Sequence, residues 1–244
     1  MITSLICVPV YLFLQMTGVW LLSRWMKNTA IVDVFWGIGL VVAGWIALWP
    51  VTQNARIFIT AVLLLIWGLR LSSYLWFTRL RLHQHDKRYA LIEKNAYLHF
   101  LFQGFLMWVM TFMFDLASTA MVDTISWMDV LAFAVIVVGV VCESVADMQL
   151  LHFKKTFPNK VCNYGWWRLS RHPNLFFDWM VWVGFYMVCA QSAYGWLGLI
   201  SPLCLYLVMN KLTMPVTERY SVEARGDAYR DYQKNTSPFF PMWG

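Results

Sequence analysis

Residues 179–210 read WMVWVGFYMVCAQSAYGWLGLISPLCLYLVMN, without one charged side chain. A helix that crosses a bilayer needs roughly 20 mostly apolar residues, so this stretch is too long for a single span. Gln191-Ser-Ala-Tyr-Gly195 supplies the polar and glycine punctuation that divides it into two short helices. The same rhythm runs back to the N-terminus, with apolar stretches closed by charge, Gly or Pro. It predicts seven spans, at about 3–23, 33–50, 56–78, 96–121, 128–152, 174–190 and 195–212. The expected fold is an all-α integral membrane protein, with residues 1–244 forming a single membrane domain. There is no internal repeat, linker or low-complexity segment.

Composition agrees. Of the 244 residues, 60% are hydrophobic and 13% charged, whereas a soluble domain carries about a quarter charged residues. The 15 Trp and 11 Tyr suit a chain with two membrane–water interfaces. The net charge of +6 is spread over short loops, with no basic tail or stripe, which argues against nucleic acid. With the N-terminus outside and seven spans, all of the 19 Lys and Arg except Arg56 fall on the cytoplasmic side. That segregation orients the chain with its N-terminus out and its C-terminus in. Residues 1–23 carry no charge, and Arg24 and Lys27 follow them, the reverse of a signal peptide. They are expected to be an uncleaved first span. The five cysteines show no C-x-x-C spacing and read as free thiols.

Acids in or beside membrane spans are costly and count as functional candidates. Asp33, Glu143, Asp147 and Asp178 fall at the inner ends of their spans, and Asp115 lies toward an outer end. Glu143, Asp147 and Lys154 share one helical stripe, and Asn174 and Asp178 are one turn apart. The loop at residues 155–173 is rich in Lys, Arg, Asn and Trp and ends in Arg168-Leu-Ser-Arg171-His172-Pro-Asn174. Pro173 suits the first position of a helix. Arg168 and Arg171 beside that helix start make an anion site, suited to a phosphate or carboxylate. The plainer reading makes the loop cations positive-inside anchors and the acids their partners. His83 and His85 with Asp86 are better read as interfacial than as ligands, and no metal site is expected. Tyr89 is placed to reach a cytoplasmic pocket. The tail from Glu218 is amphipathic and is expected to form a short interfacial helix, anchored by Phe-Phe-Pro-Met-Trp243. Its Tyr229 and Tyr232 would cover a cofactor or serve as belt aromatics.

Glu143-Ser-Val-Ala-Asp147-Met-Gln149, Trp167-Arg-Leu-Ser-Arg-His-Pro-Asn174 and Gly226-Asp-Ala-Tyr-Arg-Asp-Tyr232 together resemble the steroid 5-alpha-reductase C-terminal domain family. The nearer likeness is to its bacterial branch of DUF1295-type membrane proteins, which also carries elements similar to Asp33-Val-Phe-Trp-Gly37 and Trp67-Gly-Leu-Arg-Leu71. The resemblance covers nearly the whole chain. It implies seven helices holding NADPH in a cytoplasmic cavity of a bacterial inner-membrane protein, with a lipid-like substrate entering from the membrane. By position, Asp147, Lys154, Arg171, Asn174 and Asp178 would contact the dinucleotide, with Glu143, Arg168, His172 and the tail tyrosines nearby. Where the family reads His-Pro-Asn, aromatic, x, Gly, Glu, this chain has Phe177 and Asp178 at the last two positions.

The expected activity is reduction of an enone-type carbon–carbon double bond in a lipid-like or steroid-like substrate. Charge developing on the carbonyl oxygen needs a donor, for which Tyr89 and the carboxylic acid of Asp33 are the candidates. One alternative is an S-adenosylmethionine-dependent methyltransferase of the isoprenylcysteine type. Another is a non-catalytic lipid-binding protein of the same fold. The expected partners are membrane lipids and a hydrophobic small molecule, with the protein a monomer.

Overall fold

A computed structural model describes residues 2–81, 96–119 and 124–242, and every regular element among them is helical. In chain order these are α1 (Ile2–Met26), α2 (Ile31–Leu48), α3 (Ala55–Leu75), α4 (Ala96–Ala117), α5 (Trp127–Thr156), α6 (Pro173–Cys189), α7 (Ile200–Val208), α8 (Met214–Arg225) and α9 (Asp227–Asn235). Six helical runs are long and apolar enough to cross a membrane: Ser4–Met26, Ile31–Val51, Ala55–Leu80, Ala96–Ala117, Trp127–Thr156 and Gly195–Arg225. The sixth expected span is α6, only 17 residues long.

The last apolar run departs from the expected 195–212. A 3₁₀ turn at Gly195–Leu199 leads into α7, a π-turn at Met209–Thr213 follows, and α8 continues to Arg225. Pro215 lies just beyond the π-turn. A proline removes one helical hydrogen bond and crowds the carbonyl four residues back. The wider turn absorbs that crowding, so the helix continues. The break expected at Gln191–Gly195 is present. The chain turns tightly after α6, and a Cβ at Gly195 would sit 2.1 Å from the Cys189 carbonyl oxygen. Gly195 N–H donates to Ser192 O (2.9 Å), which closes the turn.

The chain divides into two compact units, Met1–Val130 with Tyr186–Cys204, and Leu131–Phe185 with Leu205–Gly244. In the first, α2 packs against α1, α3 and α4. Close approach of α2 and α3 needs Gly37 and Gly68, since a Cβ on either would lie 3.2 Å from the other's carbonyl oxygen. Trp67, Phe100, Phe114, Leu40 and Leu48 fill the core. A charged network is buried with them. Arg56, at the start of α3, pairs with Asp129 through Nε and Oδ1 (2.6 Å), and its Nη2 donates to the Val188 carbonyl. Asn54 caps α3 by accepting from the Arg56 and Ile57 amides. Ser126 and Asp129 form a capping box at the start of α5, each side chain accepting the other's backbone N–H (3.1 and 2.9 Å). Gln191 closes the network by donating to Asp129 Oδ1 (2.7 Å).

In the second unit, α5 and α6 form an antiparallel pair. Gly139 faces Phe177 and Val181, and Gly184 faces Ala132 and Ile136. A Cβ at either glycine would fall 3.1 Å from a carbonyl oxygen of the opposite helix, so the backbones meet without intervening side chains. Large apolar side chains are exposed along α4 (Leu98, Phe102, Phe105) and α5 (Val130, Val137, Val141, Met148). Stripes of this extent fit hydrocarbon and not water.

Candidate functional site

The candidate residues other than Asp33, Tyr89 and Asp115 (buried on α4 of the first unit) lie in the second unit, at the end of the α5–α6 pair where α6 begins. On α5, Glu143 and Asp147 are buried and Lys154 is exposed, so the expected stripe runs from the interior outward. Asn174, in the first turn of α6, donates its Nδ2 to Asp147 Oδ1 (3.2 Å). Asp178 follows one turn later and is half-buried.

Asp147 belongs to a short docking edge. Trp167 Nε1 donates to Ala146 O (2.9 Å), and the Trp166 amide donates to Gln149 Oε1 (3.0 Å). Tyr164 OH reaches Gln149 O (3.1 Å). Ala146, Asp147 and Gln149 therefore each hold a different residue of the 164–174 segment. The Ala-Asp-x-Gln and Arg-His-Pro-Asn motifs are partners in space. Gly165, with φ +60°, lets the chain pass close over Gln149, where a Cβ would lie 2.4 Å from its Nε2.

The other side of that segment is held by the C-terminal residues. Arg171 Nε lies 2.8 Å from Glu218 Oε1, and its Nη1 donates to Gln233 O (2.6 Å). His172 Nε2 also meets Glu218 Oε1 (3.1 Å), and Gln233 Nε2 donates to Glu218 Oε2 (2.8 Å). The Arg171 amide donates to Ser237 O (2.8 Å), Ser170 Oγ to Phe239 O (2.8 Å), and the Met242 amide to Leu169 O (3.1 Å). Tyr232 OH donates to Trp167 O and Ser170 O.

Each of the remaining candidates has a partner within the chain. Arg171, expected on a phosphate, is turned to Glu218 and Gln233. His172 shares that carboxylate. Tyr232 ties the loop to α9. Tyr229 is buried beside it, and burial pushes the phenols of Tyr229 and Tyr232 above their ordinary range. In the aromatic end of the tail, Phe239 is buried against Phe176, Trp179 and Tyr206, while Phe240 and Met242 are exposed. Glu218 and Gln233 were not singled out from sequence, since an amphipathic tail does not say which of its faces meets a loop, and Ser170 lay inside the Trp167–Asn174 motif without a role of its own.

Arg168 is exposed and lines an open groove of about 410 Å³ together with Asn163, Tyr164, Gly165 and Leu169. Phe177 is buried, its ring edge-on to Trp166 (centroids 4.9 Å) and to Phe176 (5.2 Å). The close helix approach comes from Gly139 on the facing helix, where a Cβ would fall 3.1 Å from the Phe177 carbonyl oxygen. Asp33 belongs to the first unit and pairs with Arg79 (3.4 Å). Tyr89, His83, His85 and Asp86 lie outside the described residues. Among the described residues, no three His, Cys, Asp or Glu side chains are grouped to hold a metal ion.

The polar groups gathered here are of two kinds. Lys154 and Arg168 are exposed cations suited to phosphate oxygens, and the Asp147–Asn174 pair offers a carboxylate and a carboxamide for ribose and amide groups. A family model described as "Protein of unknown function (DUF1295)" matches residues 19–236. No curated protein and no solved structure matches the chain. With most of its length inside that match, the chain belongs to the DUF1295 family of proteins of unknown function.

Proposed function

We propose that this protein is an NADPH-dependent membrane reductase acting on a carbon–carbon double bond in a lipid-like, enone-type substrate. The observation that carries the reading is the Asp147–Asn174 pair. A carboxylate and a carboxamide from two apolar helices are joined at the start of α6, in a chain that also exposes Lys154 and Arg168. Lipid packing alone gives no reason to place these groups in a membrane helix pair. In this reading α6 is a seventh span, since 17 residues rise about 25 Å. The N-terminus is then outside, and the site and α9 face the cytoplasm, as charge segregation requires.

Lys154 and Arg168 would hold phosphate oxygens, and Asp147, Asn174 and Asp178 the ribose and amide groups. When bound, NADPH supplies the hydride. The carbonyl oxygen of the substrate then needs a hydrogen-bond donor. Asp33 enters as the counter-ion of Arg79. S-adenosylmethionine, a cation with one carboxylate, makes less use of these cations than a dinucleotide does.

Titration of the purified protein in detergent with NADPH, NADH and S-adenosylmethionine tests the proposal. NADPH binding in the micromolar range is expected, weakened about tenfold in Asp147→Ala through loss of a charge-assisted hydrogen bond. No NADPH binding at physiological concentration sinks the reading, and tight S-adenosylmethionine binding replaces it with a methyltransferase. One observation favours a non-catalytic lipid-binding protein of the same fold. The Phe177 ring closes against Trp166 where the related motif has Gly. Phe177→Gly should then raise NADPH affinity, and an unchanged affinity counts against that second reading.

A further inference from the structure

We propose that Glu218 is the positioning residue of the site, and that the C-terminal segment holds the 167–174 loop in its binding geometry. The inference rests on the cofactor reading above for its functional consequence, and on geometry alone for the positioning itself. Glu218 receives two side chains of the loop, Arg171 (2.8 Å) and His172 (3.1 Å), on one oxygen, and Gln233 of α9 (2.8 Å) on the other. One carboxylate thus joins α8, α9 and the loop. The Arg171 link is an ion pair, and those of His172 and Gln233 are hydrogen bonds to a carboxylate, stronger than bonds between neutral groups.

The backbone contacts follow the same path. Leu169, Ser170 and Arg171 are each paired with a residue of 237–242, either through the main chain or through the Ser170 hydroxyl. Asn174, two residues past His172, makes the contact to Asp147. Displacing Arg171 and His172 therefore displaces the start of α6 and its amide. Glu218 lies 46 residues from His172 in sequence, and its side chain is 15% exposed. It acts through the loop and is not assigned a contact with the cofactor.

The test compares the full-length protein with Glu218→Gln, Glu218→Asp and, as a control on the same helix, Glu223→Gln. Peptide-level hydrogen exchange over residues 167–174 and 236–242 reads the positioning without any ligand. Glu218→Gln keeps the volume and loses the charge that holds Arg171 and His172. Exchange in both segments should speed up about tenfold. Glu218→Asp, which keeps the charge, should recover part of the loss, and Glu223→Gln should change nothing. Unchanged exchange in Glu218→Gln overturns the proposal. NADPH titration of the same variants reads the consequence, with Kd for Glu218→Gln expected about tenfold higher and Glu218→Asp between it and wild type. A loosened loop with unchanged NADPH affinity also overturns it, because the role would be structural only. If the wild-type protein binds no NADPH, the reductase reading fails, and exchange alone decides the positioning role.

Discussion

Two arginine–carboxylate networks hold this molecule, and they differ in how much water reaches them. In the first unit, Arg56 and Asp129 have side chains 2% and 1% exposed. Asp129 accepts from Arg56 and Gln191 on one oxygen and from the Ser126 amide and hydroxyl on the other. That carboxylate is saturated. In the second unit, Arg171 and Glu218 are 12% and 15% exposed, and their partners come from a loop and a tail. A saturated dry pair fixes helix ends in place and has no capacity for a ligand. A pair with some exposure, on a loop, costs less to rearrange. The first network is therefore the more rigid of the two, and the second borders the candidate site.

The largest expected effect breaks the dry network. Asp129→Ala leaves the Arg56 charge buried and uncompensated and should cost about 3–5 kcal/mol in detergent unfolding. The double variant Arg56→Met/Asp129→Leu should recover most of that loss, since no charge remains to be solvated. Arg171→Ala should cost less than half as much, because water reaches Glu218. Equal losses for the two single variants would erase the distinction between the networks.

Next in size is the α5–α6 seam beneath the site. Gly139→Val should destabilise the protein by about 1–3 kcal/mol through overpacking against Val181 and the Phe177 carbonyl. Thermal unfolding of the purified variant measures it.

A smaller effect appears at alkaline pH. Burial raises the Tyr232 phenol above its ordinary value of 10.0, so the folded state holds that proton more tightly than the unfolded chain. Its contribution is fully present below pH about 10 and is lost as pH rises toward the folded value. Tyr232→Phe should lose about 1 kcal/mol at neutral pH with the bonds to Trp167 and Ser170. The variant should then show a shallower alkaline loss than wild type in a stability–pH series. The smallest effect is expected at the exposed Arg219–Glu223 pair, 75% and 54% exposed. Glu223→Gln should shift stability by less than about 0.5 kcal/mol, which makes it the baseline for both networks.

Much of the fold was legible because its signals are local. The apolar run at 179–210 and its break at Gln191–Gly195 could be read from composition and turn residues, and α6 and the Gly195–Leu199 turn stand on either side of it. Pro173 opens α6 where its preference for a first turn put it. The Asp147 and Asn174 positions were picked out by spacing and motif, and they meet in space. The continuation of the last run past residue 212 was not legible, because a π-turn before Pro215 has no sequence pattern of its own. Arg56 was read as a lone cation opposite the others, and nothing in its neighbourhood points to Asp129, 73 residues away.

By itself the sequence determined that the chain is helical and apolar enough to cross a membrane, and which motifs carry its polar chemistry. These follow from helix periodicity and from the cost of unpaired polar groups in lipid, both properties of neighbouring residues. Only the tertiary structure decided which charges face one another. Arg171 stands in sequence as one cation among several in its loop, and only folding brings the Glu218 carboxylate, 47 residues on, within 3 Å of it.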